Sequence, residues 1–146
     1  MKEIKFLVAT LFVALLPIMF SSCGEKNTPD EITIVGKWEV TEAIRSYYFV
    51  NDQANVIESE SYEVGQVWEF TKDSQLTVAG ATYTYNLSNN VLATDYATNY
   101  YSGTVTGFDV PVHTADQLVL SVTYTEKDKV GERKVTNKLT FKRVVE

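Results

Sequence analysis

The stretch from Leu118 to Tyr124 alternates between two side-chain faces, and this alternation is the feature that most constrains the fold. One face is apolar and aromatic, with Leu118, Leu120, Val122 and Tyr124. The other face carries Val119, Ser121 and Thr123. Successive side chains of a strand point to opposite faces, so the pattern predicts a strand. No stretch after residue 23 shows a sustained helical period, and we therefore expect an all-β fold.

Residues 134–144 repeat the alternation, and turn-forming residues divide the rest of the chain. The predicted strands cover roughly 35–48, 56–70, 75–79, 81–87, 91–95, 99–112, 117–125 and 133–144. Eight strands joined by short turns favour an antiparallel up-and-down β-barrel, because closure removes the exposed edges of an open sheet. A β-sandwich is the alternative, because the same alternation serves both architectures.

The N-terminal segment has the pattern of an export signal. Lys2 and Lys5 stand at the start of the chain, and an apolar run of 15 residues covers 6–20. A transmembrane helix needs about 20 apolar residues, so this run is too short to span a bilayer. Residues 20–23, Phe-Ser-Ser-Cys, resemble a lipobox. That resemblance implies a signal peptide at 1–22 and a mature N-terminus at Cys23, which would carry a diacylglycerol and an N-acyl chain such as palmitate.

The remaining chain is long enough for one domain with a real core. We expect a lipidated cysteine and polar tether at 23–33, followed by a β-barrel domain at 34–146. Gly24 follows the cysteine, so the aspartate that retains some lipoproteins in the inner membrane is absent, and the resemblance favours the outer membrane. The full chain has a net charge of −6, and loss of the basic signal segment leaves −7. Such an acidic surface repels nucleic acid, which we exclude as a partner.

Further motifs resemble a known family. Gly36-Lys37-Trp38 is a Gly-x-Trp motif on the first predicted strand. With VWEFTKD at 67–73, TYTYNLSNN at 82–90 and LTFKRV at 139–144, it resembles bacterial lipocalin-like lipoprotein domains over about residues 34–144. In lipocalins an arginine of the last strand packs over this tryptophan and closes one barrel end. The resemblance therefore implies that Trp38 and Arg143 form such a barrel-closing pair.

No catalytic or metal-binding constellation is apparent in the sequence. His113 is the single histidine, and no cysteine/histidine cluster has the spacing of a zinc site. Glu58, Glu60 and Glu63 are close in sequence, but we interpret them as a solvated face rather than an acid/base pair. We expect no enzyme activity, no cofactor and no metal site.

Aromatic residues provide the binding hypotheses. Trp68, Tyr83 and Tyr85 are predicted to line the barrel, where they would bind a small hydrophobic ligand. Strand alternation predicts four polar side chains that also point inward, namely Glu42, Ser46, Gln66 and Asn137. These side chains would orient a polar group of the ligand. In the alternative hypothesis the core is solid and the chain is an envelope interaction module. Its tyrosine-rich loops, with Tyr96, Tyr100 and Tyr101, would then contact a glycan or a protein.

Overall fold

Strands dominate the part of the chain that the computed structural model describes, residues 32–101 and 104–146. The strands are β1 Gly36–Phe49, β2 Asp52–Glu60, β3 Val67–Phe70, β4 Gln75–Val78, β5 Ala81–Ser88, β6 Val91–Thr94, β7 Gly107–His113, β8 Gln117–Lys127 and β9 Glu132–Arg143. One short helix, α1, covers Asp95–Tyr100. The predicted signal peptide, Cys23 and most of the predicted tether lie outside the described residues.

Eight of these strands close into an antiparallel barrel. Strands β3 to β8 each pair with the next one along the chain, and β1 pairs with both β3 and β9. On one side of β1, Trp38 lies opposite Trp68 of β3. On its other side Trp38 lies opposite Arg143 of β9, which completes the ring. The predicted all-β up-and-down barrel is confirmed, and this continuous pairing rules out the β-sandwich.

The one remaining described strand, β2, lies outside the barrel. The predicted strand at 56–70 is wrong, because β2 ends at Glu60 and β3 begins at Val67. Strand β1 has 14 residues and β3 only 4. Residues 36–39 of β1 pair with β3, and residues 44–49 pair with β2. Residues 61–66 make the turn between them and are pinned to β1, with Ser61 N donating to Ala43 O at 2.8 Å.

The predicted strand at 99–112 is also wrong in its first half, because α1 occupies residues 95–100. Thr94 caps this helix, since its side-chain oxygen accepts a hydrogen bond from Tyr96 N at 3.2 Å. Asp95 places an acidic side chain in the first turn, where the helix dipole favours negative charge. The strand itself begins only at Gly107.

A β-bulge in β1 changes which residues point into the barrel. The pairing of β1 with β9 shifts register between Val40 and Glu42. Inward positions therefore move from even to odd numbers, and Ala43 is buried while Glu42 is exposed. The predicted inward orientation of Glu42 and Ser46 is wrong, because strict alternation does not anticipate an inserted residue.

The hydrophobic core lies inside the barrel. Its largest fully buried side chains are Trp38, Trp68, Phe70, Phe108 and Phe141, together with Leu76, Leu92, Leu118, Leu120 and Leu139. These residues come from β1, β3, β4 and β6 to β9, so the core holds the strands of the barrel to one another. Helix α1 adds Tyr96 and Ala97 to the core.

Candidate functional site at the tyrosine mouth

One end of the barrel is closed by Arg143. Its guanidinium carbon lies 4.1 Å from the centre of the Trp38 ring, which is within the range of a cation–π interaction. The same guanidinium donates hydrogen bonds to the backbone oxygens of Thr33, Val35 (2.9 Å) and Ala115 (2.6 Å). The stack therefore ties the chain before β1 and the turn before β8 to the barrel.

Gly36 makes the close approach of Arg143 possible. A Cβ atom at this position would lie 2.7 Å from Nη1 of Arg143, and the backbone has a φ of +131°. The Trp38 indole in turn donates its Nε1 hydrogen to Ile34 O at 2.8 Å. The glycine and the tryptophan of the Gly-x-Trp motif thus both serve the same closed end.

The opposite end of the barrel is lined by tyrosines. The antiparallel order places the turn 61–66 and helix α1 at this end, away from Arg143. We call this region the tyrosine mouth and define it as Tyr62, Tyr96, Tyr100, Tyr101 and Tyr124. It unites the turn 61–66, helix α1 with the residue that follows it, and strand β8, which are far apart in the sequence.

A chain of ring contacts leads from solvent into the core at this mouth. Tyr62 is 70% exposed, Tyr100 is 38% exposed and Tyr96 is only 3% exposed. The rings of Tyr62 and Tyr100 lie 6.0 Å apart, and those of Tyr100 and Tyr96 are stacked at 5.1 Å with an interplanar angle of 9°. Tyr96 then meets Trp68 edge-on at 4.8 Å. An outer ligand would therefore contact rings that the core holds in place.

Glu63 lies beside these tyrosines and is buried, with 1% of its surface exposed. The sequence prediction of a solvated face holds for Glu58 and Glu60, which are exposed, but is wrong for Glu63. The reason is that Glu63 belongs to the turn 61–66 rather than to β2, so strand alternation does not apply to it. The Ser61 hydroxyl donates a hydrogen bond to Glu63 Oε2.

The inner tyrosines of the mouth carry strongly perturbed hydroxyls. Burial raises the pKa of Tyr101, and neighbouring Tyr96 and Glu63 raise it further. Burial likewise raises the pKa of Tyr96, followed by the effect of Glu63. Among the described residues, the Tyr101 hydroxyl is buried without a hydrogen-bond partner. The Tyr124 hydroxyl instead accepts a hydrogen bond from Asn137 Nδ2 at 3.2 Å.

Two arginines border the mouth on the inner face of β1 and β9. The guanidinium carbons of Arg45 and Arg133 each lie 5.2 Å from the centre of the Tyr47 ring. Both arginines also reach Glu126, at 2.9 Å and 3.4 Å, and Arg133 pairs with Asp128. The mouth thus offers guanidinium donors next to aromatic faces and hydroxyls.

The three residues predicted to line a ligand cavity lie deeper in the barrel than the exposed rings of the mouth. Trp68 is fully buried, and its ring is within 6.5 Å of the rings of Phe70, Tyr96, Phe108 and Phe141. Tyr83 packs against Tyr96 at 5.1 Å. Tyr85 packs on Phe70 at 5.0 Å and donates its hydroxyl to Thr71 O at 2.6 Å. All three contact the aromatic core directly.

Sequence reasoning did not find Tyr62 and Glu63 as parts of a site. Both were placed in the long second strand, and the pinned turn depends on contacts with β1 that no local pattern reveals. The helix that carries Tyr96 and Tyr100 did have a signal. Thr94-Asp95 is a typical start of a helix, with a capping residue followed by an acidic one.

The described residues show neither a metal site nor a membrane-spanning helix. Within residues 32–101 and 104–146, no three histidine, cysteine or acidic side chains form a group suited to a metal ion. No helix in these ranges is long and apolar enough to cross a membrane. Comparisons with protein-family models, curated proteins and solved structures found no match.

Proposed function

We propose that this chain is a lipid-anchored cell-envelope protein that binds a glycan at the tyrosine mouth and performs no catalysis. The observation that carries the proposal is the ring chain from exposed Tyr62 through Tyr100 to buried Tyr96. It presents aromatic surface outward while the core fixes its inner end. Such an anchored aromatic surface is the type of structure on which binding energy concentrates.

The packing around Trp68 supports binding at the mouth rather than in the barrel. Four aromatic rings surround the indole at centroid distances from 4.8 to 6.5 Å. A hydrophobic ligand at this depth would have to displace them. Each displaced aromatic side chain would expose apolar surface whose burial stabilises the fold by about 2 to 3 kcal/mol. The solid-core alternative from the sequence is therefore favoured over a small hydrophobic ligand.

The chemistry of the mouth supports a glycan as the ligand class. A sugar ring has an apolar C–H face that can cover a tyrosine ring, and hydroxyls around its rim that need donors and acceptors. Tyr62 and Tyr100 supply exposed aromatic surface. Arg45 and Arg133 supply guanidinium donors at the edge of the same end of the barrel. A protein partner is the alternative outcome of the test.

A binding assay with a double variant tests the proposal. The mature protein is titrated with soluble peptidoglycan fragments and with bacterial surface polysaccharides, and binding is followed by calorimetry. Tyr62→Ala combined with Tyr100→Ala should weaken binding at least about tenfold, because both outer rings are lost. Tyr48→Ala is the matched control, since Tyr48 lies on the opposite face of β1. Equal binding by the double variant and the control would contradict the site.

The hydrophobic-ligand alternative has its own readout. Protein purified from its native host is examined intact by native mass spectrometry. A co-purified apolar molecule that is lost on Trp68→Ala but retained in the Tyr62→Ala/Tyr100→Ala variant would overturn binding at the mouth. Absence of a bound apolar molecule, with glycan binding intact, is the expected result.

The lipid anchor is proposed from the lipobox-like residues 20–23 alone. Acyl chains at Cys23 would hold the barrel at the membrane, and we favour the outer membrane. Each buried methylene contributes about 0.8 kcal/mol, so two or more chains give stable anchoring. Mass spectrometry of the mature N-terminus should show the acyl masses on Cys23 and none in Cys23→Ser. An unmodified cysteine would contradict the anchor without affecting the glycan assay.

A further inference from the structure

Strand β2 presents an open edge to solvent. It pairs with β1 on one side, and none of the described residues pairs with it on the other. All nine of its residues, Asp52–Glu60, are exposed. In an antiparallel ladder alternate residues point their N–H and C=O groups away from the paired neighbour, so this edge carries free backbone donors and acceptors. A long open edge of this kind is a template for another strand.

A hollow lined by β1, β2 and the turn that follows β2 adds side-chain specificity. It has a volume of about 440 Å³ and opens on the outer face where β2 leaves the barrel. Its lining has three carboxylates, two aliphatic side chains and two hydroxyl-bearing residues, namely Glu42, Glu58, Glu60, Ile44, Val64, Thr41 and Ser59. Within the described residues these carboxylates form no ion pair, and Glu42 accepts one hydrogen bond from the Thr140 hydroxyl at 3.4 Å.

The shape and charge of the hollow match a long basic side chain. Lysine and arginine have an aliphatic stem and a cationic head, which suit Ile44 and Val64 on one hand and the carboxylates on the other. Outside the hollow, β2 carries one further acidic residue, Asp52, and none of its nine residues is basic. The edge as a whole is therefore complementary to an extended basic segment.

A second copy of the chain fits this edge less well. An antiparallel pairing of two β2 strands about Val56 would place Asp52 opposite Glu60 of the other copy. Carboxylates directly opposite one another across a ladder are destabilising. Charge thus favours a different, basic partner over a symmetric dimer.

We propose that β2 is a docking strand that captures an extended, lysine- or arginine-rich polypeptide segment by strand addition. The segment adds to the free edge of β2 through backbone hydrogen bonds. One of its basic side chains enters the hollow formed by Glu42, Glu58 and Glu60. This site is distinct from the tyrosine mouth, and the proposal does not depend on the glycan.

The test uses a capped peptide of alternating lysine and valine, as long as β2, with the mature protein. Fluorescence anisotropy should show saturable binding, and amide hydrogen exchange should slow within residues 52–60. Glu58→Lys combined with Glu60→Lys should weaken binding at least about tenfold, since two attractions become repulsions. Asp73→Lys with Asp116→Lys is the matched control, because it makes the same change in net charge at two exposed turns and should bind like the parent.

A second peptide separates strand addition from simple charge attraction. It has the same sequence with methylated backbone nitrogens at every second residue, so one edge cannot donate hydrogen bonds. Loss of binding by this peptide supports strand addition. Equal binding by both peptides, no saturable binding, or a concentration-dependent dimer that protects residues 52–60 without peptide would each overturn the proposal.

Discussion

The guanidinium carbon of Arg143 lies 4.1 Å from the centre of the Trp38 ring, at the end of the barrel opposite the tyrosine mouth. Three backbone oxygens accept hydrogen bonds from the same guanidinium. One side chain therefore joins the last strand, the first strand and the segment that precedes it. This arrangement depends on the absence of a side chain at Gly36.

Gly36→Ala should destabilise the barrel by about 2 to 4 kcal/mol, since it combines an unfavourable φ with a clash against the guanidinium. The φ is +131°, and the new Cβ would lie 2.7 Å from Arg143 Nη1. Urea unfolding followed by tryptophan fluorescence measures the change, because both tryptophans are fully buried. Gly80→Ala is the control. It has a φ of +81° with no atom within 4 Å, so it bears backbone strain alone. Equal losses for the two variants would contradict the clash.

Arg143→Met should destabilise the protein by about 2 to 4 kcal/mol, because it removes the ring contact and leaves carbonyls without a donor. Introducing Gly36→Ala into this variant should then cost less than in the parent, since the clashing atom is gone. Urea unfolding of the four proteins gives the coupling between the two positions. Additive losses would show that Gly36 and Arg143 act independently.

The sequence predicted the barrel because its long strands alternate cleanly. In β8 and β9 the apolar face of the pattern is the buried face, as at Leu120 and Leu139. Alternation failed where the structure departs from a regular ladder. The bulge after Val40 reversed the orientation of Glu42, and the turn at 61–66 buried Glu63. Both departures are set by pairing with distant strands, which a local pattern does not contain.

The candidate site was only partly visible in the sequence. The sequence predicts that Tyr96, Tyr100 and Tyr101 lie together in a loop and contact a glycan or a protein. The structure divides them, because Tyr96 is buried, Tyr100 is partly exposed and Tyr101 packs against Phe108 at 5.6 Å. A helical turn sets this division, since it points neighbouring side chains in different directions. The Tyr62 ring, which contacts Tyr100, lies in the separate turn 61–66, and no sequence pattern predicts this contact.

Alanine variants of the outer and inner tyrosines of the mouth should differ in their free energy of unfolding. Tyr62→Ala should change the free energy of unfolding by less than about 1 kcal/mol, because its side chain is largely solvated. Tyr96→Ala should cost about 3 to 5 kcal/mol, since it leaves a cavity beside Trp68. Thermal and urea unfolding measure both. A large loss for Tyr62→Ala would show that the turn 61–66 depends on that ring, and would disqualify the variant as a test of ligand contact.

Alkaline pH should lower the free energy of unfolding of this barrel. Burial raises the pKa of Tyr96 and Tyr101 above the value of about 10 that tyrosine has in the unfolded chain. The stability from these groups is therefore fully present below about pH 10 and is lost as the pH rises further, because only the unfolded chain readily releases their protons. Urea unfolding across the alkaline range measures the loss, and tyrosinate absorbance should rise together with unfolding.

Tyr101→Phe tests this pH dependence at one of the two buried tyrosines. The Tyr101 hydroxyl is buried without a partner among the described residues, so its removal should stabilise the protein at neutral pH by up to about 1 kcal/mol. It should also reduce the alkaline loss, because one proton release is removed. Tyr85→Phe is the matched control. Its hydroxyl donates to Thr71 O at 2.6 Å, and its loss should cost about 1 kcal/mol at neutral pH. If Tyr101→Phe destabilises as much as Tyr85→Phe, the Tyr101 hydroxyl has a partner in solution, such as a buried water.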